Sequence, residues 1–220
     1  MIKEALTMNK QAIEIKSSIH GDVIISAIPG HFVTSHSHIN YYIDITRVKH
    51  DHNMARNAAL NFADYYSSTT LVDTIICMDG SEVIGSFLAR ELTKTSYMQM
   101  NSSSTIYVVT PEFNTNGQMI FRDNIQDMIA GKRILLLIAS ITTGKTAKRS
   151  LECLDYYGGN VIGISAIFST MDEVQDIPVK SIFQKEDIPD YQTYSFRDCP
   201  FCKENHKIDA LANSYGYSKI

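Results

Sequence analysis

Apolar residues recur along this chain in two rhythms, and the change between them divides it. Before about residue 70 they are interspersed with polar ones. Residues 1–16 set Ala5, Ile13 and Ile15 among Lys and Glu and predict an amphipathic helix. Residues 22–28 alternate and predict a strand ended by Pro29-Gly30, and residues 41–46 predict a second short strand. Within 53–66, Met54, Ala58, Phe62 and Tyr65 fall on one face of a helix. From Leu71 onward the apolar residues come in continuous runs. Residues 71–78 form one, followed by Asp79-Gly80-Ser81 and a helix through Leu92. Residues 105–109 and 119–121 read as strands, and 124–130 as a short helix stopped by Gly131. Residues 134–138 are five aliphatic side chains in a row. A helix over 146–157, ended by Gly158-Gly159, leads to another buried run at 161–168. Continuous runs belong to strands covered on both faces. Their alternation with helices predicts an α/β protein with a mainly parallel central sheet flanked by helices. Three parts are expected: an N-terminal helix and hood lobe (1–70), a core (71–186), and a polar, Tyr-rich tail (187–220) that wraps the surface or a partner.

Composition narrows the partners. Hydrophobic residues make up 44% of the 220, enough for a large core, and the net charge of −4 gives no bulk attraction for nucleic acid. No apolar run reaches the roughly 18 residues that span a bilayer, and the N-terminus lacks a signal-like apolar stretch. The expectation is a cytoplasmic protein that binds neither nucleic acid nor membrane. Its four cysteines are then reduced or metal-bound.

The candidate chemistry sits where the run at 134–138 ends. Ala139-Ser140-Ile141 leads into Thr142-Thr143-Gly144-Lys145-Thr146, which opens a helix. A loop between a parallel strand and a helix leaves backbone N–H groups unpaired at the helix N-terminus, and with the helix dipole these favour an anion. Gly144 allows close backbone approach, three threonines add hydroxyls, and Lys145 adds charge. The plainer alternative is a strand–helix turn with a threonine cap. Ala139-x4-Gly144-Lys145-Thr146 also fits the loose nucleotidase P-loop, but 161–168 ends in Ser169 rather than an acid.

The segment resembles the phosphate loop of type I phosphoribosyltransferases, and the chain most closely resembles the orotate phosphoribosyltransferase branch. Two further stretches are similar to that family. Asp79-Gly80-Ser81-Glu82 matches its pyrophosphate loop, and residues 34–44, with His36, His38 and Tyr41, match a segment on the base side. The resemblance implies a phosphoribosyltransferase-type core under a small hood. It also implies a homodimer, with the Tyr191–Tyr217 stretch as a contact surface, and Mg²⁺ accompanying phosphoribosyl pyrophosphate (PRPP). In that family Thr142–Thr146 would hold the 5-phosphate.

Three departures from the family pattern bear on activity. Its active members carry two carboxylates just before the Thr-Thr-Gly, against the ribose; here those positions are Ala139 and Ser140. Removing one preorganised group of this kind costs about 2.7–4 kcal/mol of transition-state stabilisation. The family's basic flexible loop corresponds to residues 110–117, which have no basic residue and include Glu112. The Arg that pairs with the orotate carboxylate is absent after Phe168. The expected function is therefore binding of PRPP or a nucleotide 5-phosphate, with weak or lost transfer. The alternatives are an active transferase on a pyrimidine-like base, drawing charge and acid–base function from Asp79, Glu82, His31, His36 or His38, and a P-loop nucleotidase.

A second constellation lies outside this resemblance. Cys199-x2-Cys202-x3-His206 offers three soft or borderline ligands, and Zn²⁺ would need a fourth, from His20, another histidine or a partner subunit. The alternative is a reduced thiol pair in a turn. His36 and His38 alternate, which on a strand would put both on one face, about 7 Å apart. His50 and His52 read as surface residues beside a helix.

Overall fold

The computed structural model describes residues 11–18, 22–95, 98–115 and 117–220. In chain order the strands are β1 (Ile13–Lys16), β2 (Ile24–Val33), β3 (His38–Asp44), β4 (Thr74–Cys77), β5 (Tyr107–Val109), β6 (Glu112–Phe113), β7 (Met119–Ile120), β8 (Arg133–Ile141), β9 (Asn160–Ser169), β10 (Glu173–Val174), β11 (Ile177–Gln184), β12 (Thr193–Tyr194), β13 (Ala210–Asn213) and β14 (Gly216–Lys219). The helices are α1 (Thr46–His50), α2 (His52–Tyr66), α3 (Glu82–Leu92), α4 (Asp123–Gln126), α5 (Lys145–Tyr156) and α6 (Pro200–Lys203). Among the described residues no helix is long and apolar enough to cross a membrane.

The α/β expectation holds. The core sheet runs β10-β11-β9-β8-β4-β5, all parallel except for β10, which lies antiparallel at the edge. β8 is central because both of its faces are apolar. Leu135, Leu137 and Ala139 enter one hydrophobic cluster, with α2, α3 and the hood, while Ile134, Leu136 and Ile138 enter the other, with α5. Its start is pinned to β4 by Arg133, whose guanidinium makes a bidentate pair with Asp73 (2.6 and 2.7 Å). Those bonds hold the Asp73 carboxyl down at about 2.

The hood differs from expectation in several places. Residues 13–16 are not helical: Ile13 and Ile15 alternate with Glu14 and Lys16, and the segment pairs antiparallel with β2. Residues 1–10 of the expected helix lie outside the described residues. β2 does not stop at Pro29-Gly30 but continues to Val33 through an irregularity between Pro29 and Phe32, where a ladder tolerates proline. Segment 187–220 is no appended tail: β12 pairs with β3, and β13 pairs with β2 and carries β14, so hood and tail form one sheet, β12-β3-β2-β13-β14. Its tyrosines are partly consumed inside the fold. Tyr191 stacks edge-on against Phe168, and Tyr217 packs on Tyr42 and Phe32.

Helix α3 packs against β4 at Gly85, where a Cβ would overlap the buried Cys77 Sγ and lie 3.3 Å from Val108 Cγ1. Gly85→Ala is therefore expected to destabilise the protein by about 1–2 kcal/mol, overpacking outweighing the gain of roughly 1 kcal/mol in helix propensity. Adding Cys77→Ala should recover most of that loss. Denaturant unfolding of the two single variants and the double variant checks it, and strictly additive effects would refute the contact.

Candidate functional site

β4 runs to β5 on one side of the sheet, and β8 runs to β9 on the other. The order thus reverses between the adjacent strands β4 and β8, the position where open α/β sheets bind ligands beyond the carboxyl ends of their strands. Two loops meet there: 79–81 after β4 and 142–144 after β8. Above them lies a cavity of about 180 Å³, lined by Thr34–His36 from the hood, Asp79, Ser140–Ala147, Phe168, Tyr191 and Ala212–Ser214.

The candidate phosphate loop is built from the strand outward. Pairing of Ser140 with Phe168 and Ile141 with Ser169 extends β8 three residues beyond the aliphatic run. Thr170 then ties the loop to the neighbouring strand, its N–H donating to Ile141 O (3.0 Å) and its hydroxyl to Thr142 O (2.6 Å). The turn into α5 passes through Gly144 in the left-handed region (φ +67°), and Gly144 caps the helix without a side-chain bond. No acidic residue stands in the first turn of α5. The helix N-terminus and Lys145 thus face the cavity with positive potential uncompensated from their own helix. Thr142, Thr143, Gly144, Lys145 and Thr146 all line it.

The opposite wall holds Asp79, which like Gly80 has positive φ (59° and 78°). Burial pushes the Asp79 carboxyl above the usual carboxylate range, against the pull of a Ser214 hydrogen bond, the Lys49 charge and the Ala139 N–H. Ser81 is fully buried and donates to Leu137 O at 3.4 Å, which binds this loop to β8. Glu82 turns aside and accepts from Thr110 (3.2 Å). Ala139 is fully buried, whereas Ser140 is half-buried and lines the cavity.

Of the three base-side candidates, only His36 lines the cavity. His36 precedes β3, so strand parity does not tie it to His38. Burial and the charges of Lys145 and Arg149 lower its pKa. His38 points elsewhere, with its Nδ1 2.8 Å from His31 Nε2, and Tyr41 is buried in the hood core while Tyr42 lines the cavity. His206 does not join Cys199 and Cys202. The chain turns at Asn205 (φ +57°), and the His206 ring meets Glu204 (3.2 Å). His20 lies outside the described residues.

Two contributors escape sequence reasoning. Lys49, buried at the end of α1, donates to Asp79 O and Ser214 O, both at 2.8 Å. Burial lowers its pKa, while Asp79, Glu82 and Asp44 oppose that shift. The β13–β14 turn supplies Asn213 and Ser214 to the cavity wall. Neither carries a local sequence signal, because both depend on pairing across the length of the chain.

No protein-family model matches the chain. Several curated orotate phosphoribosyltransferases do. The Caldanaerobacter subterraneus enzyme is 34% identical over 76 residues, which span 34% of this chain and 38% of that enzyme. The Campylobacter jejuni enzyme is 23% identical over 192 residues, spanning 82% of this chain and 89% of that enzyme. The Wolinella succinogenes enzyme is 24% identical over 193 residues, spanning 82% and 88%. Solved structures include Mycobacterium tuberculosis orotate phosphoribosyltransferase (TM-score 0.49, 15% identity, 75% of this chain and 92% of that one). Another is Rhodothermus marinus adenine phosphoribosyltransferase (TM-score 0.48, 15% identity, 84% and 99%). Over most of its length, then, the chain is similar in sequence to orotate phosphoribosyltransferases.

Proposed function

We propose that this protein binds a phosphoribosyl ligand, PRPP or a nucleoside 5-phosphate, and transfers the ribosyl group weakly or not at all. The observation that carries the reading is the arrangement of the 142–146 loop at the switch point, across the cavity from the Asp79 loop. A 5-phosphate seated on the α5 N-terminus would point its ribose toward Ser140 and Asp79. Mg²⁺, which the resemblance brings in with PRPP, would find in Asp79 the one carboxylate among the described residues that line the cavity.

Weak transfer follows from what surrounds the site. Ala139 and Ser140 supply no charge where the resembling enzymes carry an acidic pair. β6 and β7 form a hairpin that covers the expected basic loop, and Arg122 there is already paired with Glu112 (2.7 and 3.0 Å). One observation favours the active alternative: Asp79, just past the end of β4, lines the cavity together with Ser140, so a carboxyl reaches this side of the site from the neighbouring strand. The nucleotidase reading has less support. Residues 139–141 are strand, which leaves only 142–144 as loop, too short to wrap a triphosphate.

A thermal-shift screen of ribose 5-phosphate, nucleoside monophosphates and PRPP, with and without Mg²⁺, tests the proposal. A ligand at a hundredfold over Kd adds about 2.7 kcal/mol, which for this chain length is a rise in Tm of roughly 5–10 °C. Lys145→Ala and Thr143→Val should each shrink that rise, with little pyrophosphate released from PRPP and orotate. No shift with any ribose phosphate would overturn the binding reading, and rapid pyrophosphate release would establish the active alternative.

A further inference from the structure

His31 on β2, His38 at the start of β3, and Cys199 and Cys202 at the start of α6 converge, with one ligand atom from each within 4.8 Å of every other. This group lies outside the phosphate cavity. The individual separations are His31 Nε2 to His38 Nδ1 2.8 Å, Cys199 Sγ to His31 Nε2 3.5 Å, Cys202 Sγ to His31 Nε2 3.6 Å, and Cys202 Sγ to His38 Nδ1 3.4 Å. Tetrahedral zinc with Zn–S about 2.3 Å and Zn–N about 2.0–2.1 Å has N···S edges of about 3.5 Å and an N···N edge of about 3.3 Å. Three of the four sulfur–nitrogen edges already match, the fourth lies within 4.8 Å, and the two rings need separate by about 0.5 Å.

We propose that these four side chains form a closed, structural Cys2His2 zinc site. Three observations beyond the spacing support it. His31 Nδ1 faces the carbonyls of His206 and Lys207 (3.2 and 3.3 Å), so its proton sits there and the Nε2 lone pair points into the cluster. Binding releases one proton from each thiol, so Zn²⁺ with two thiolates and two neutral imidazoles is neutral overall, which suits the buried positions of His31, His38 and Cys199. The backbone beside the cluster is laced as well: His31 N–H donates to the Asp209 carboxylate and Asp209 N–H to His31 O, both at 2.9 Å. With four protein ligands no coordination position is left for substrate, so the metal's role is to hold the tail. It staples segment 199–202 to the hood sheet just before β13, and the turn after β13 brings Ser214 to the phosphate cavity.

The test uses the full-length protein and does not depend on the phosphoribosyl reading. Purified protein reduced and dialysed against zinc should retain one zinc per chain. Cys199→Ser, Cys202→Ser and His38→Ala should retain almost none, and His206→Ala should retain it fully. Because a ligand variant could fail to fold, the metal-free wild type is also titrated with Co²⁺. Intense tetrahedral d–d bands with thiolate-to-cobalt charge transfer at one equivalent are expected, displaced by Zn²⁺. Chelation should lower Tm by several degrees and expose two thiols to a thiol reagent. Less than a tenth of an equivalent of zinc together with a weak octahedral cobalt spectrum would overturn the site. That result would leave a thiol–imidazole cluster sharing one N–H between His31 and His38.

Discussion

Gly144→Val is expected to weaken ribose-phosphate binding at least about tenfold, a loss of 1.4 kcal/mol or more, and to lower stability by about 2 kcal/mol. Two constraints meet at this residue. Its φ of +67° lies where an L side chain costs roughly 1–2 kcal/mol, and a β-branched one costs more. Its Cβ would also sit 2.9 Å from Met171 Sδ. Methionine is flexible and can move aside; the backbone angle cannot be relieved without rotating the peptides of 142–145. Those peptides carry the N–H groups that would hold the phosphate. Gly158 is the control. It has φ +74° at the far end of α5, and a Cβ there would meet only Ala130 Cα, at 3.9 Å, so Gly158→Ala should be strained while binding is unaffected. Calorimetric titration with the tightest ribose phosphate of the screen, beside denaturant unfolding, reads both quantities. Equal loss of affinity in the two variants would mean that backbone strain in general, not the phosphate loop, controls binding.

The parts legible in the sequence are those whose reasons are local. A central parallel strand is apolar on both faces, so β8 and β9 announce themselves as continuous runs, and the loop between them carries its glycine and threonines in order. The hood is harder to read because its pairing is long-range. β13 joins β2 through residues nearly 180 apart, and nothing near Ala210 or Leu211 in sequence signals that partner. β11 escapes because Pro178 and Lys180 interrupt its apolar pattern, although it lies parallel to β9. Lys49 stands in a polar stretch beside His50 and His52, yet it is buried, with two carbonyls, one from β4's loop and one from the β13–β14 turn, accepting its hydrogen bonds. The cysteine pair is visible as a motif, whereas its histidine neighbours come from the opposite end of the chain.

Ala139→Asp, which adds a carboxylate beside the candidate phosphate loop, is expected to destabilise this protein by about 3 kcal/mol or more and to bring no transfer with it. Ala139 is fully buried among apolar neighbours, and the buried Asp79 carboxyl lies close enough to its backbone to feel it. A second carboxyl there would be desolvated and would face a like charge, and both effects raise its pKa. The sign of the pH dependence follows. The folded variant holds a proton that the unfolded chain releases above about pH 3.9, so its deficit against wild type should shrink as pH falls from 7 through the folded pKa. Ser140→Asp differs because Ser140 is half-buried and its side lines the cavity, where solvent or ligand can meet the charge. Its Tm should stay within about 2–4 °C of wild type, roughly 1 kcal/mol. Neither variant should release pyrophosphate at a useful rate, since the Glu112–Arg122 pair and the Ser169-Thr170 strand end are unchanged. Unfolding at pH 5 and pH 7, with a pyrophosphate assay on PRPP and orotate, decides the matter. An Ala139→Asp protein as stable as wild type that also turns over PRPP would show that one missing carboxylate alone separates this chain from an active transferase.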